Sequence, residues 1–390
     1  MVGGRPRPGT GGARMRSAAR LVGLRAIGSI LRVSPESLPR TARERIAVMR
    51  PDHLGDVLLS TPALRVLRQR EPDAEIIAIV GGWSAPILAM NPDVDRVLTY
   101  AYPWFDRQVD GCAIVRLTAA ASLGTRLRAL GIERVYILRD DHWWGGLAGA
   151  AGGVPRRYGV EIPESAPFLT DSIENRPNDH VSATAVRVVG GADDATYRDA
   201  PLRFEIAPAA IKQAARLLDK RTLTIEEFAL IHPGASAAAK IWSPDRWSAI
   251  IEFLFDRGVP ALVVGGPGDS AMVDAVVGQS RATVSRLEES PSIGVLGGLI
   301  QAARVALGVD SLAAHIAAAV DTPSIRLFGP GDERRFGPWA SPARHRSTRA
   351  PGTRPDNTWF SNPRTRHPTM QAIEADQVKQ ELADLLTATS

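Results

Sequence analysis

The sequence predicts an α/β protein of two domains, and three observations carry this prediction. The chain has 390 residues, which is more than one ordinary hydrophobic core accommodates. Apolar runs that suit buried strands alternate with helical stretches, which is typical of a parallel sheet covered by helices. This alternation stops once, in a Gly-, Asp- and Pro-rich segment at 190–208, and then starts again. We therefore expect two α/β halves joined by that segment.

In the first half, the pattern predicts strands at 46–49, 75–80, 96–100 and 134–138. A helix follows the first strand after a short polar turn that contains Gly55. Thr61 is a suitable N-cap for that helix and Pro62 suits its first position. Further helical stretches end at Leu130 and extend over 179–189.

In the second half, the pattern predicts strands at 228–231, 261–264, 305–309 and 324–328. Helices are expected at 269–277, 293–303, 311–320 and 372–386. Another helix begins at Ser243 and ends at Gly258. The Arg- and Pro-rich stretch 341–369 is expected to be an irregular loop. The apolar face of the helix after Ser243 is predicted to consist of Trp247, Ile250, Ile251, Leu254 and Phe255.

The charge of the chain is concentrated at its N-terminus. Residues 1–45 contain ten Arg and two Glu, whereas the whole chain carries a formal charge of +5, which leaves −3 for residues 46–390. A mildly acidic core argues against a nucleic-acid-binding protein. The single Cys112 excludes an intramolecular disulfide and a cysteine-cluster metal site. We find no stretch that is apolar and long enough to span a bilayer.

The basic N-terminal segment leaves three alternatives open. It is Gly-, Pro- and Arg-rich up to Arg16, which predicts disorder there. Residues 17–32 are amphipathic, and could form an interfacial helix on an anionic membrane, a helix docked on the domain, or an unfolded extension. An arginine interrupts the apolar part and no small-residue cleavage site follows, which argues against a signal peptide. The apolar stripe consists of Leu21, Leu24, Ile27 and Leu31, with Arg20, Arg25 and Arg32 between them.

The stretch from Arg50 to Arg70, RPDHLGDVLLSTPALRVLRQR, is the most informative one for function. It places Asp56 where a strand gives way to a helix, which is the edge at which open α/β sheets bind ligands. A carboxylate beside helix N–H groups is expected to stay ionised and can act as a base. The alternative is that Asp56 only caps a turn. His53 and Gly55 are candidate acceptor or loop contacts beside it.

Three further loops at strand ends carry polar chemistry. The small-residue loop 233–240 lets backbone N–H groups approach an anion, and Lys240 adds a mobile positive charge. GGPGD ends in Asp269, an acidic residue of the kind that bonds ribose hydroxyls. The N–H groups of Ser311, Leu312 and Ala313 open a helix and would face a phosphate, with His315 on the same helix face. Taken singly, Lys240 could be a solvated lysine, GGPG a turn and His315 a core histidine. The order and spacing of the three loops at strand ends of one half indicate a nucleotide-diphosphate site.

Together with the Asp56 junction, these loops resemble the bacterial ADP-heptose heptosyltransferase family, inverting nucleotide-sugar transferases of the GT-B fold. The resemblance runs from about Arg45 to Leu386 and rests on RPDHLGDVLLSTPALRVL, HPGASAAAKIWSPDRW, VVGGPGD and GVDSLAAHIAAAVDTPSIRLFGPGDERRFGPW. The last segment is the most distinctive, because the family has Asp-Thr-Gly-x-x-His at a helix start, followed by a strand ending in Phe-Gly-Pro. Here Ser311-Leu312 replaces Thr-Gly, which bears on donor identity more than on fold.

The resemblance implies an inverting transferase that moves a heptose-like sugar from a nucleotide-diphosphate sugar, expected to be ADP-linked, to a glycan or glycolipid hydroxyl. Asp56 would be the catalytic base, Lys240 the phosphate-binding lysine and Asp269 the acidic ribose contact. Asp310, Ser311 and His315 would form the diphosphate-binding helix start, and no metal or other cofactor is expected.

The implied architecture has two Rossmann-like domains that face a central cleft. A basic extension at 1–44 would precede an acceptor domain at 45–207, a donor domain at 208–370 and a terminal helix at 371–390. We expect a cytoplasmic protein that contacts the inner face of the plasma membrane peripherally. Two alternatives remain, a nucleotide-dependent oxidoreductase and a non-catalytic nucleotide-sugar-binding or membrane-docked scaffold protein. The oxidoreductase is weakened because no GxGxxG follows the first strand.

Overall fold

The computed structural model of the protein describes residues 11–31, 42–105, 113–190, 200–356, 358–359 and 364–388. The chain divides into two compact units, Met1–Ala200 and Pro201–Ser390. Each unit contains one six-stranded sheet whose strands all pair in parallel. The predicted α/β class is therefore confirmed. Cys112 and residues 191–199 of the predicted linker lie outside the described residues.

The four strands predicted in the first unit are confirmed, and two short strands extend the sheet beyond them. The strands are β1 Arg45–Arg50, β2 Glu75–Val80, β3 Arg96–Thr99, β4 Arg134–Ile137, β5 Arg156–Val160 and β6 Asp171–Ile173. The helices are α1 Gly11–Ile30, α2 Leu54–Leu58, α3 Thr61–Arg70, α4 Ala113–Ala129, α5 Trp143–Ala151 and α6 Val181–Gly190. The strand order in the sheet is β3-β2-β1-β4-β5-β6.

The second unit repeats this plan. Its strands are β7 Ala229–His232, β8 Ala261–Val263, β9 Ser285–Arg286, β10 Val305–Val309, β11 Ser324–Leu327 and β12 His345–Thr348. Its helices are α7 Pro208–Asp219, α8 Pro244–Phe255, α9 Ser270–Gln279, α10 Ile293–Gln301, α11 Leu312–Ala319, α12 Glu333–Phe336, α13 Pro368–Gln371 and α14 Ala375–Ala388. The strand order is β12-β11-β10-β7-β8-β9.

Both units have the doubly wound strand order, in which the first and fourth strands are neighbours. β1 pairs with β4 in the first unit, and β7 pairs with β10 in the second. Chain connections leave these two central strands in opposite directions across the sheet, which creates a topological switch point at their carboxyl ends. The four central strands are buried except for Arg45 at the start of β1, because both faces of each sheet are covered.

Three details differ from the sequence-based predictions. Thr61 is not the N-cap of α3, because α2 has already turned the chain and Ser60 precedes the helix, with the Thr61 hydroxyl donating to the Leu58 carbonyl. Phe255 is 54% exposed, because it lies at the margin of the apolar stripe of α8. The loop predicted at 341–369 contains β12, an edge strand whose sequence, HRST, lacks apolar alternation.

The N-terminal helix α1 is docked on the first unit. It begins at Gly11, inside the segment predicted to be disordered, and residues 1–10 lie outside the described residues. Leu24 is buried, and Ile27 and Leu31 pack against the same core. The stripe that an interfacial helix would offer to lipid is therefore occupied by the protein itself. No helix in the described part of the chain has the length and apolar character needed to cross a membrane.

Candidate functional site

Both groups of candidate residues lie at the switch point of their unit. In the first unit, Asp56 follows β1, and the segment 139–142 follows the neighbouring strand β4. In the second unit, Lys240 follows β7 and Asp310 follows the neighbouring strand β10. The carboxyl ends of neighbouring parallel strands meet at one edge of a sheet, where α/β proteins bind ligands. The strand orders thus bring together residues that are distant in sequence.

A buried carboxylate between two arginines is the centre of the first site. Asp52 is 1% exposed, and its Oδ2 lies 2.8 Å from Nε of Arg50. Its Oδ1 pairs with Nη1 of Arg139, which follows β4. Burial alone would raise the pKa of Asp52, but the Arg139 and Arg50 guanidiniums hold this pKa below its ordinary value. Asp52 is therefore a fixed negative charge in the site.

Asp56, the predicted base, lies in the first turn of α2 with its side chain 27% exposed. Its Oδ1 is 3.9 Å from Nη2 of Arg50, which is too far for a direct hydrogen bond. Burial and the nearby Asp52 charge raise the pKa of Asp56. Arg50, Arg139 and His53 act in the opposite direction without reversing the shift. The direction of this shift makes the carboxylate a stronger base, and the role of Asp56 as the catalytic base stays a prediction.

The other two residues predicted at this site flank Asp56 in the chain. His53 is the N-cap residue of α2 and its side chain is exposed. The Gly55 carbonyl accepts the Leu59 N–H at 2.9 Å, so it forms part of the helical turn that holds Asp56. Their contact with an acceptor stays a prediction.

A neutral histidine and two aromatic rings support Arg139. The His142 ring centroid lies 5.7 Å from that of Tyr102 and 6.3 Å from that of Phe105. Burial and the Arg139 charge lower the pKa of His142 to about 3, so its imidazole is neutral near pH 7. Cζ of Arg139 lies 5.1 Å from the centroid of the Phe105 ring. The Phe105 ring thus packs on the guanidinium that pairs with Asp52, and the His142 ring lies next to the rings of Phe105 and Tyr102.

In the second unit, Lys240 reaches across the switch point to Asp310. Nζ of Lys240 lies 2.6 Å from Oδ2 of Asp310 and donates to the Asp310 carbonyl at 3.3 Å. The two side chains are 19% and 10% exposed. Nζ also lies 5.4 Å from the centroid of the Trp359 ring. The structure thus fixes an ammonium beside the start of α11, where an anion would be bound.

The start of α11 carries the remaining residues of the predicted diphosphate site. Ser311 is its N-cap residue, but its hydroxyl makes no capping bond and its buried Oγ has no hydrogen-bond partner among the described residues. Leu312 and Ala313 supply the first N–H groups of the helix. His315 is buried one turn further, with its Nε2 3.9 Å from Oδ1 of Asp310.

A buried arginine on β11 faces His315. Nη1 of Arg326 lies 3.2 Å from Nδ1 of His315 and donates to the Phe336 carbonyl at 2.7 Å. A guanidinium can only donate, so Nδ1 of His315 must accept and Nε2 carries the ring proton toward Asp310. Arg326 is 1% exposed, and its Nε and Nη2 have no partner among the described residues. Burial lowers the pKa of Arg326 to about 10, because removing a charged guanidinium from water costs free energy.

Asp269 lies after β8 and precedes α9, as the sequence predicts. Its Oδ2 accepts the Gly266 N–H at 2.9 Å and so closes the GGPGD turn. The carboxylate also lies against Gly234, where a Cβ would come within 2.0 Å of Oδ2. Glycine is therefore needed in the turn after β7. The ribose contact of Asp269 stays a prediction.

Four residues of these two sites are not predicted from the sequence: Asp52, Arg139, His142 and Arg326. Arg139 and His142 follow a predicted strand in the run RDDH, which also suits a solvated turn. Only the pairing of β1 with β4 shows that this run meets Asp52. In the described residues, no group of three or more His, Cys, Asp or Glu side chains is arranged to hold a metal ion. The expected absence of a metal stays a prediction.

Comparison with known proteins gives one consistent result. The model of glycosyltransferase family 9 (heptosyltransferase) matches residues 179–357. Lipopolysaccharide heptosyltransferase 3 of Escherichia coli (strain K12) is 29% identical over 300 residues, which cover 73% of this chain and 82% of that protein.

Solved structures agree with this family in fold. A family 9 glycosyl transferase from Veillonella parvula DSM 2008 superposes with a TM-score of 0.75 at 20% identity, covering 90% of this chain and 99% of the other. The E. coli ADP-heptose lps heptosyltransferase II gives a TM-score of 0.68 at 20% identity, covering 88% and 99%. These matches favour neither the oxidoreductase nor the non-catalytic scaffold protein. The chain is therefore a heptosyltransferase-like glycosyltransferase, and its residues 179–357 match glycosyltransferase family 9.

Proposed function

We propose that this glycosyltransferase inverts configuration and transfers a heptose from ADP-heptose to a hydroxyl of a glycolipid of the lipopolysaccharide type. The donor and acceptor classes follow the names of the similar proteins, which are lipopolysaccharide heptosyltransferases and an ADP-heptose lps heptosyltransferase. The observation that carries the mechanism is Asp56. Its carboxylate is partly exposed at a switch point, and its pKa is raised by burial and by the charge of the buried Asp52.

The second unit would bind the donor diphosphate. The ammonium of Lys240 carries three N–H groups, of which Asp310 takes two, and the start of α11 adds free backbone N–H groups. Negative charge grows on the leaving diphosphate as the bond to the sugar breaks. Fixed positive charge and aligned N–H groups stabilise this charge without reorganising during the reaction.

The first unit would activate the acceptor. Asp56 takes the proton from an acceptor hydroxyl, and that oxygen attacks the anomeric carbon from the face opposite the diphosphate. One C–O bond forms while the bond to the leaving phosphate oxygen breaks, so the configuration is inverted. The proton stays on Asp56 until it is lost to solvent. Asp52 keeps Arg50 and Arg139 engaged, so that neither guanidinium neutralises the base.

Purified protein should be incubated with ADP-heptose and, in parallel, with UDP-, GDP- and other ADP-linked sugars. Release of nucleoside diphosphate is measured by chromatography with and without a heptose-accepting lipopolysaccharide core. We expect acceptor-dependent ADP release from ADP-heptose, and a product whose anomeric configuration, read by NMR, is opposite to that of the donor. Release from UDP- or GDP-sugars alone, or a retained configuration, would contradict the proposal.

A further inference from the structure

We propose that the first unit docks on an anionic lipid bilayer through a surface between α1 and the start of α4. We call this surface the tryptophan rim and define it by Arg20, Trp104, Arg116 and Trp143. The inference deepens the proposed function, on which it rests, because it assigns a place at the enzyme to the membrane that carries a lipid-linked acceptor.

Two half-buried indoles lie side by side in the rim, and each has a guanidinium against its ring. Cζ of Arg20 lies 5.1 Å from the Trp143 ring centroid, and Cζ of Arg116 lies 4.6 Å from that of Trp104. The two indole centroids are 6.0 Å apart. Trp104 has a φ of 70°, which bulky residues rarely adopt, so packing must hold it in this position. Indole and guanidinium groups both combine an apolar body with a polar part, which suits the headgroup region of a bilayer.

Exposed apolar side chains lie on the same two helices as the rim arginines. Ile114, Val115 and Leu117, in the first turns of α4, are 71%, 42% and 38% exposed, and Val22 on α1 is 66% exposed. Each lies within two residues of Arg20 or Arg116 in the sequence. Insertion of such side chains between lipid headgroups would remove their apolar surface from water.

The charge of the two helices selects an anionic partner. The sequences of α1 and α4 contain seven Arg and no Asp or Glu. A second copy of the chain would bring together helices that carry arginines and no acidic residue, which disfavours self-association through this surface. An anionic bilayer is complementary, and each arginine near its surface contributes about a fivefold gain in affinity at low salt.

The rim is joined directly to the candidate acceptor site. Trp104 precedes Phe105, which faces Arg139, and Trp143 follows His142. A lipid-linked acceptor held at the rim would therefore extend its headgroup toward the edge of the sheet where Asp56 lies. This surface differs from the amphipathic helix predicted from the sequence, because α1 contributes charge while its apolar stripe is buried.

Binding should be measured by co-sedimentation of the full chain with vesicles of phosphatidylcholine, alone or mixed with phosphatidylglycerol, at low and high salt. We expect binding to the mixed vesicles that falls as salt is raised. The variants are Arg20→Gln and the double variant Ile114→Ser/Leu117→Ser. Arg20→Gln should lose about fivefold in affinity at low salt. The double variant should weaken binding at both salt concentrations, because it removes apolar contact.

The second unit offers matched controls. Ile225 and Lys212 are exposed there, and Ile225→Ser and Lys212→Gln should leave vesicle binding unchanged. The rim would be rejected if the rim variants bind as the wild type does, if neutral and anionic vesicles bind equally, or if the protein sediments without vesicles. Loss of ADP affinity in the rim variants would also reject it, because the rim is proposed to bind lipid and not the donor. Vesicle binding through the rim by a protein that turns over no nucleotide sugar would support the rim and refute the proposed function.

Discussion

Replacing Lys240 by methionine should lower both the stability of the second unit to unfolding and its affinity for ADP. The two effects can be separated. Methionine keeps the length of the side chain but removes the ammonium 2.6 Å from Oδ2 of Asp310. Removing one partner of a buried pair costs about 3–5 kcal/mol, whereas an exposed pair contributes about 0–1 kcal/mol. Because these side chains are 19% and 10% exposed, we expect a loss of about 2–3 kcal/mol. That loss corresponds to a decrease in Tm of about 5–10 °C.

The double variant Lys240→Met/Asp310→Asn separates the two effects. It also removes the negative charge of Asp310, which Lys240→Met leaves without its ammonium partner, so most of the lost stability should return. Its affinity for ADP should stay low, because a hydrogen bond to a charged group contributes about 1.5–3 kcal/mol, or about ten- to hundredfold in Kd. Thermal unfolding without ligand and calorimetric titration with ADP measure the two quantities.

A control and a refuting result complete this test. Lys379 pairs with Asp376 on the surface of α14 at 2.9 Å, and Lys379→Met should change neither Tm nor ADP affinity. If the double variant regains normal ADP affinity, Lys240 only neutralises Asp310 and does not bind the diphosphate. Normal ADP affinity in Lys240→Met itself would refute the assignment of the donor to this unit.

Two further predictions concern residues that the sequence did not indicate. Asp52→Asn removes a charge that raises the pKa of Asp56, so the acid limb of the pH profile of kcat/KM should move to lower pH. The kcat value should fall by less than hundredfold. The control Asp141→Asn removes the exposed partner of Arg139 and should leave the pH profile unchanged. Arg326→Met removes the donor that holds Nδ1 of His315 near the start of α11, so ADP binding should weaken about tenfold. Tm should change little, because the substitution also removes an incompletely partnered buried charge. A lower Tm with unchanged ADP affinity would show that Arg326 is structural.

The sequence predicted the ends of the central strands well, and with them the place of the main candidate residues. β2 and β10 have the predicted bounds, because uninterrupted apolar runs mark strands that are buried on both faces. Asp56, Lys240 and Asp310 follow such strands, so their position at the carboxyl edge of a sheet could be inferred. The edge strand β12 could not be inferred, because it is charged and only its pairing with β11 defines it.

The electrostatic partners of these residues depend on strand order, which local patterns do not encode. Arg139 meets Asp52 because β4 lies beside β1, and Arg326 meets His315 because β11 lies beside β10. The docking of α1 likewise depends on which surface receives its apolar stripe. An amphipathic helix with a basic face suits a membrane and a protein core equally well until that surface is known.

The central claim is that Asp56 is the base that activates the acceptor, and Asp56→Asn tests it most directly. The transfer rate from ADP-heptose and the Kd for ADP should be measured on the same preparation. We predict that the rate falls about hundredfold or more while the Kd stays at the wild-type value, because a base acts on the acceptor and not on the diphosphate. Near-normal transfer by Asp56→Asn would contradict the account.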